Sequence, residues 1–231
     1  MTTPTSASGS VFDGDGFTDA DLRALYDRSA GAVVYIDESY RTAGQAHGDG
    51  FYILTAVVIP RDRIVRIRAK LTDIADSTRW HTSQAARDED GREKTLKMSR
   101  YLARAATTVV AVQTPVTAAD ADAEGARAAC FGALLGALCN NGMLEPTGLV
   151  VLERRRDTHQ QNFDGRTINA LRAAGTIHET LLVYQGSPAT ESLLWAPDVV
   201  SWATRQWIAR SDDSYIEPLR ATKRFFQVTV T

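Results

Sequence analysis

Apolar residues along the chain fall into two patterns, short continuous runs and longer stretches with helical spacing. Runs rich in Val, Ile, Leu and aromatic residues, bounded by small and polar residues, are typical of buried strands. Stretches with apolar residues three and four positions apart are typical of amphipathic helices. The runs predict strands over residues 32–37, 50–60, 107–113, 148–153 and 180–184, with a further short strand near the C-terminus. The spaced stretches predict helices over residues 19–29, 61–75, 91–105, 118–141, 163–174 and 196–209.

The order of these elements predicts an α/β fold. A leading hairpin of two strands precedes alternating helices and strands, which is typical of a mixed sheet with helices on both faces. The Ser, Thr, Gly and Asp content of residues 1–17 predicts a flexible N-terminal tail. Residues 18–231 are then expected to form a single domain, long enough to bury a sizeable core.

Composition narrows the class of protein. Apolar residues make up 44% of the chain and charged residues 23%, as in ordinary globular proteins. The net charge of −2 argues against a generally basic protein that coats nucleic acid, although a local basic groove remains compatible with it. Cys130 and Cys139 lie in one predicted helix and are expected to be buried free thiols in a reducing compartment. Because no signal peptide or long apolar run is found, we expect a cytoplasmic protein.

The first candidate for chemistry is the end of the first predicted strand, where Asp37 and Glu38 follow an apolar run. Carboxylates at such a position are costly unless they are solvated, paired or bound to a cation. Because strand side chains alternate between faces, Asp37 is predicted to point into a site and Glu38 to the other side. The plain alternative is a solvated acidic turn that ends the strand.

Two more acids occupy comparable places. Glu153 ends the strand predicted over 148–153, and Asp198 begins the last predicted core helix. Ligands of open α/β sheets gather at the carboxyl ends of strands, and carboxylate oxygens suit Mg²⁺ or Mn²⁺. Two such ions can support phosphodiester cleavage. We therefore predict Asp37, Glu153 and Asp198 as metal ligands and, together with Glu38, as catalytic residues.

Each of these acids also has a structural explanation. Glu153 can pair with the arginines that follow it. Asp198 follows Pro197, and both residue types are favoured in the first turn of a helix. Asp157 is a spare ligand if Glu153 points away from the site.

Basic residues near these acids are candidates for contacting a substrate. Arg154, Arg155 and Arg156 follow the second strand acid, and Arg205 lies two turns after Asp198. We predict that these arginines hold phosphate, because guanidinium groups bind phosphate oxygens well. His81, in the polar segment over 77–92, is a further candidate for contacting the substrate. Its alternative is an ordinary surface histidine.

Two segments of the chain resemble a known protein family. Residues 34–39, VYIDES, followed by an apolar strand, resemble the opening YIDESG signature of the domain-of-unknown-function family 3800 (DUF3800). Residues 192–201, SLLWAPDVVS, resemble its closing S-x-LQ-x-AD-x-x-x-G/A element. Asp37, Glu38 and Asp198 match these motifs, whereas Glu153 matches by position. The resemblance implies a ribonuclease-H-like fold, an acidic two-metal site and nuclease activity.

The sequence therefore predicts a divalent-metal-dependent nuclease that cleaves nucleic acid, either DNA or RNA. Tyr40, Trp195 and Pro197 depart from the family motifs, which leaves open an inactive ribonuclease-H-like module that binds nucleic acid or a protein partner. Another phosphoryl-transfer or hydrolytic enzyme acting on a small substrate is a third hypothesis. We expect no membrane partner, and self-association into a homo-oligomer is compatible with the sequence.

Overall fold

The computed structural model describes residues 20–42, 50–155 and 157–230. The tail predicted over residues 1–17 lies outside the described residues. The strands are β1 (Val33–Arg41), β2 (Gly50–Ile59), β3 (Thr107–Val116), β4 (Leu149–Glu153), β5 (Leu182–Gly186) and β6 (Phe225–Thr229). The helices are α1 (Ala20–Arg28), α2 (Ile64–Ala75), α3 (Thr82–Ala85), α4 (Glu89–Ala105), α5 (Glu124–Asn140), α6 (Thr158–Ala173), α7 (Trp195–Arg210) and α8 (Glu217–Arg220).

The strands of the described ranges form one mixed sheet in the order β5-β4-β1-β2-β3-β6. β2 is antiparallel to both β1 and β3, so the leading hairpin continues into a three-stranded meander. β4 lies parallel beside β1, β5 parallel beside β4, and β6 parallel beside β3. The predicted α/β fold with a mixed sheet is therefore confirmed, including the short strand near the C-terminus.

The first strand lies at the centre of the sheet and is buried on both faces. Val33 and Tyr35 belong to a core cluster that includes residues of α2, α4 and α7. Val34 and Ile36 belong to a second cluster, which includes residues of α5. Because successive side chains point to opposite faces, one apolar run supplies both cores. Helices therefore cover both faces of the sheet, as predicted.

β1 does not end at the acids, contrary to the sequence-based expectation. It continues past Asp37 to Arg41, paired with β2 throughout this length. The parallel partner β4 stops earlier, and its last pair with β1 joins Ile36 to Leu152. The apolar pattern thus breaks at Asp37 because β4 no longer pairs with β1 from this residue onward. β1 itself continues, paired with β2.

The helix predicted over residues 118–141 is divided into two parts. A 3₁₀ turn precedes α5, and Ala123 between them adopts a positive φ of 60°. The Asp120 carboxylate accepts hydrogen bonds from the backbone N of Gly125 at 3.0 Å and of Ala126 at 2.7 Å. This side chain caps the helix N-terminus, as Asp commonly does. The cap therefore overrides the helix propensity of the Ala-rich segment.

The two cysteines are free thiols, but only one of them is deeply buried. Burial raises the pKa of the Cys130 thiol to about 12. Cys139, near the end of α5, is half-buried, which differs from the expectation of two buried thiols. Among the helices of the described ranges, none combines the length and apolar character needed to cross a membrane.

A buried ion pair joins α2 to the segment that starts α7. Arg68 Nη2 lies 2.8 Å from Glu191 Oε2. Glu191 also accepts a hydrogen bond from Leu193 N at 2.9 Å, which caps the 3₁₀ turn Ser192–Leu194 that runs directly into α7. The pair therefore helps to fix where α7 begins, and with it the position of Asp198 in the first turn of that helix.

We expect Glu191→Ala to lower the free energy of unfolding by about 3–5 kcal/mol, because a buried guanidinium loses its carboxylate partner. Urea unfolding followed by circular dichroism measures this change. The double variant Glu191→Ala/Arg68→Met, which removes both charges, should lose less stability than Glu191→Ala alone. A loss below about 1 kcal/mol for the single variant, the level of a surface pair, would show that the ion pair is not important for stability.

Candidate functional site

The acids predicted from the sequence line one cleft, at the notch where β4 leaves β1. The cleft has a volume of about 480 Å³. β1 and β4 form one side of it, and the first turn of α7 brings in an acid from the opposite side. Apart from Arg156, which is outside the described residues, its lining includes the predicted catalytic, metal-binding and substrate-binding residues, namely Asp37, Glu38, His81, Glu153, Arg154, Arg155, Asp198 and Arg205.

Asp37, which is buried, and Glu153, which is half-buried, lie together in the cleft. The Asp37 residue is 7% exposed, and its carboxyl shares a hydrogen bond with that of Glu153. Burial, followed by repulsion from the other acids of the cleft, raises the pKa of the Asp37 carboxyl well above its usual range. Burial and repulsion from Asp198 and Glu38 also raise the pKa of Glu153. In the absence of a cation, these two carboxyls therefore hold protons at a higher pH than solvated acids do.

Asp198 is held in place by the turn into α3. Its Oδ2 accepts hydrogen bonds from Thr82 N at 2.8 Å and from Thr82 Oγ1 at 2.9 Å. Trp80 Nε1 donates to the same Thr82 hydroxyl at 2.9 Å. His81 Nδ1 lies 3.6 Å from Asp198 Oδ2, and the His81 side chain is 58% exposed. The polar segment before α4 therefore fixes the Asp198 carboxylate and places an accessible imidazole beside it.

Glu38 contacts the helical layer on the opposite face of the sheet from α7, as strand alternation requires. Its Oε2 lies 2.9 Å from Arg127 Nη1. Arg127 also donates to both carboxylate oxygens of Asp164, at 2.6 and 2.8 Å, and to the Tyr52 hydroxyl at 2.6 Å. Arg127, which lies on the face of the sheet opposite α7, thus compensates much of the Glu38 charge. Its role as an auxiliary catalytic residue stays a prediction.

Two of the predicted phosphate-binding arginines are engaged within the protein. Arg155 is buried, and its Nη1 donates to Glu124 Oε2 at 2.9 Å. Arg154 donates from Nε and Nη2 to the backbone oxygen of Gln185, at 3.1 and 2.8 Å. Both line the cleft, yet a phosphate would have to compete with these contacts. Arg156 lies outside the described residues.

Arg205 differs from Arg154 and Arg155 in its electrostatic environment. Partial desolvation, together with repulsion from Arg210 and Arg41, lowers the pKa of the Arg205 guanidinium, although the residue is exposed. An anion that entered the cleft would relieve this repulsion. Asp157, the spare ligand of the sequence analysis, caps α6 instead, since its Oδ1 accepts a hydrogen bond from His159 N at 2.7 Å.

The charged network behind the acids escaped the sequence analysis. It consists of Arg127, Asp164, Arg155 and Glu124, with the Tyr52 hydroxyl as a further member. One signal was available, because Arg127 interrupts a helix that is otherwise rich in Ala, Leu and Gly. A charge on an apolar helix has to find a buried counter-charge. Sequence alone does not identify that partner, which lies 37 residues away on α6.

The donor set of the cleft fits a hard divalent cation. Oxygen ligands from Asp37, Glu153 and Asp198 are the type that Mg²⁺ and Mn²⁺ prefer, and a cation would relieve the repulsion that raises the pKa values. Over the ranges that the structure describes, however, no three His, Cys, Asp or Glu side chains are arranged as a metal-binding group. Two of the carboxyls share a hydrogen bond, and Asp198 contacts Thr82. The three carboxylates therefore have the chemistry of metal ligands, although in this structure they contact one another and Thr82.

Comparison with solved structures finds proteins of similar fold. Bst-RNase HIII in complex with Mn²⁺ is similar, with a TM-score of 0.50 and 11% sequence identity, over 88% of this chain and 57% of that chain. The fold is ribonuclease-H-like. Ribonuclease H2 from Pyrococcus horikoshii OT3 gives a TM-score of 0.46 and 18% identity, over 82% of this chain and 76% of that chain. The chain thus spans little more than half the length of the ribonuclease HIII, and the likeness to that structure shows the fold alone.

Comparison at the level of sequence finds no relatives. No protein-family model matches the chain, and no curated protein matches it. The resemblance to the domain-of-unknown-function family 3800 therefore has no support from these comparisons and stays a prediction.

We expect Asp37→Asn to change how stability depends on pH in the absence of divalent ions. A carboxyl whose pKa is raised by folding contributes stability that is lost as pH rises from about 4, its unfolded value, through the raised value. The wild type should therefore lose stability over this window relative to Asp37→Asn. At pH 8 the variant should be more stable by about 0.5–2 kcal/mol, the usual gain from a single stabilising substitution, because it removes a charge that the other acids of the cleft repel.

Urea unfolding in EDTA at several pH values between 4 and 8 measures this difference. Asp62→Asn, which neutralises an exposed acid outside the cleft, serves as the matched control and should follow the wild type. A stability difference between wild type and Asp37→Asn that stays constant over the whole pH range would contradict the expected burial and crowding of the Asp37 carboxyl.

Proposed function

We propose that the protein is a divalent-metal-dependent nuclease that cleaves phosphodiester bonds of nucleic acid in the carboxylate cleft. The observation that carries this proposal is the convergence of Asp37, Glu153 and Asp198 on one cleft from three separate elements. Burial and mutual repulsion of acids are costly, and they are typical of sites that bind a cation. The ribonuclease-H-like fold is compatible with this activity but does not by itself assign it.

Asp37, Glu153 and Asp198 would hold Mg²⁺ or Mn²⁺. A bound ion of this type supplies charge neutralisation for the phosphate and a lower pKa for an attacking water. The protein has to present the carboxylates with little freedom to move. Ser201 Oγ donates to the Asp37 backbone oxygen at 3.2 Å, and Thr82 holds Asp198 Oδ2, so strand and helix are tied together at the cleft.

Nucleic acid is favoured as substrate over a small phosphate ester by the groups around the acids. Tyr40, Trp202 and Arg205 line the same cleft as the carboxylates. Tyr40 stacks on Tyr52 with ring centroids 5.4 Å apart, and Trp202 meets Tyr215 edge-on at 4.8 Å. Fixed aromatic rings beside a guanidinium are suited to bases and the phosphates between them. Arg205 would contact phosphate, and the exposed imidazole of His81 would contact substrate next to Asp198.

A second candidate is a binding module of the same fold without catalysis. It is favoured by the internal contacts of the acids, since no metal-binding group of three side chains is formed within the described residues. Such a module would bind nucleic acid or a protein partner equally well with and without divalent ions. The two candidates therefore differ in their dependence on metal and in turnover.

We expect Asp37→Asn to lower metal-dependent cleavage of oligonucleotides by at least about a hundredfold, the loss typical of removing one electrostatic stabiliser. Single- and double-stranded DNA and RNA, and mononucleotides, should be assayed side by side with Mg²⁺ and Mn²⁺. Asp62→Asn, which neutralises an exposed acid outside the cleft, is the matched control and should cleave as the wild type does.

Unchanged cleavage by Asp37→Asn would exclude the nuclease site proposed for this cleft. Binding of oligonucleotides without turnover under any of these ions would favour the non-catalytic module. Hydrolysis of mononucleotides alone would indicate the third class of enzyme, which acts on small phosphate esters.

A further inference from the structure

A second polar groove lies between α2 and α4, away from the carboxylate cleft. It has a volume of about 470 Å³ and is lined by Arg63, Arg66, Ile67, Tyr101, Arg104 and Ala105. We call it the α2–α4 groove. Its lining contains three arginines and no acid, although the whole chain has a net charge of −2. Positive charge is thus concentrated in this groove.

The three arginines differ in how they are held. Arg63 Nη1 donates to the backbone oxygen of Ala105 at 3.1 Å, so this guanidinium is fixed at the C-terminal end of α4. Arg66 and Arg104 are exposed. In the described part of the chain, neither of these two guanidinium groups has an ion pair or a hydrogen bond. Two arginines are therefore available for an anion, beside one that is already oriented.

Tyr101 gives the groove an aromatic wall. It is half-buried and packs against the core cluster that includes residues of α2 and α7. A neighbouring cleft of about 420 Å³ shares Tyr101 and Arg66 and adds Lys70. Lys70 pairs with the exposed Asp73 at 2.6 Å, so its charge already has an opposite charge beside it. The basic surface therefore centres on Arg66, with an aromatic ring between two shallow openings.

The groove lies on the same face of the sheet as α7, but at the other end of β1. α2 follows the end of β2, where Ile59 pairs with Val33 at the start of β1. Asp37 lies four residues further along β1, which corresponds to about 13 Å. Stacked nucleotides rise about 3.4 Å each along a strand, so about four stacked nucleotides would cover this distance.

We propose that the α2–α4 groove binds backbone phosphates of a nucleic-acid strand whose neighbouring segment occupies the carboxylate cleft. This inference rests on the proposed function for the class of ligand. Guanidinium groups match phosphate geometry, and unpaired arginines beside a ring are typical of surfaces that follow a nucleic-acid backbone. The groove contributes affinity for the strand and makes binding depend on salt, whereas the cleft carries out cleavage.

The test compares Arg66→Glu with Arg166→Glu. Both variants change the net charge equally, and Arg166 lies on α6, a helix on the opposite face of the sheet, where its guanidinium contacts only the Phe163 ring among the described residues. Fluorescence anisotropy with a 16-nucleotide single strand, in EDTA to prevent cleavage, is measured at several salt concentrations. About 16 nucleotides exceed the length needed to reach from the cleft to the groove.

We expect Arg66→Glu to weaken binding about tenfold at low salt, the usual effect of losing a charged hydrogen bond. The negative slope of log affinity against log salt should become shallower by about 0.7, which corresponds to the loss of one phosphate contact on a single strand. Arg166→Glu should bind within about twofold of the wild type. Equal losses in the two variants, or wild-type affinity in Arg66→Glu, would overturn the proposal.

Further outcomes separate this inference from the nuclease proposal. If the wild type binds the strand with Arg66 dependence but never cleaves it, the groove stands and the nuclease activity fails. If the wild type cleaves the strand and Arg66→Glu binds it as tightly as the wild type does, the nuclease proposal stands and the groove proposal fails. Absence of oligonucleotide binding by the wild type overturns the groove proposal, including the case in which phosphatidylserine vesicles are bound through Arg66 instead.

Discussion

Repulsion among carboxylates at the notch between β1 and β4 is the constraint on which the rest of the structure depends. The notch exists because β4 stops pairing with β1 at Ile36, one residue before Asp37. Glu153 ends β4 at the same level, and α7 brings Asp198 to face both. Burial of like charges raises the pKa of Asp37 and Glu153, so this arrangement is unfavourable without protons or a cation.

Interactions on both faces of the sheet compensate for this crowding. On one face, Thr82 donates two hydrogen bonds to Asp198, and the Arg68–Glu191 pair fixes the entry to its helix. On the other face, Arg127 takes up the charge of Glu38 and is itself bound by Asp164. The two adjacent acids of β1 thus have different environments. Within the described ranges, no cationic side chain forms an ion pair with Asp37, whereas Glu38 has one at 2.9 Å.

Sequence pattern was sufficient to predict the mixed sheet and the opposite orientation of Asp37 and Glu38, because both follow from local rules. Alternation of strand side chains assigned Asp37 and Glu38 to opposite faces, and apolar runs located the core strands. Sequence pattern was not sufficient where a contact between distant segments determines the local structure. The extension of β1 to Arg41 depends on pairing with β2, and the interruption before α5 depends on capping by Asp120. The network around Arg127 joins α5 to α6, which no local pattern specifies.

The central claim is that Asp37, Glu153 and Asp198 bind a divalent ion together. Crystals grown with Mn²⁺, with anomalous diffraction recorded at the manganese absorption edge, test it most directly. The account predicts an anomalous peak in the cleft, within bonding distance of oxygens from all three carboxylates and with the Asp37–Glu153 hydrogen bond replaced by metal contacts. A cleft without a peak at saturating Mn²⁺, with those two carboxyls still bonded to each other, would contradict it.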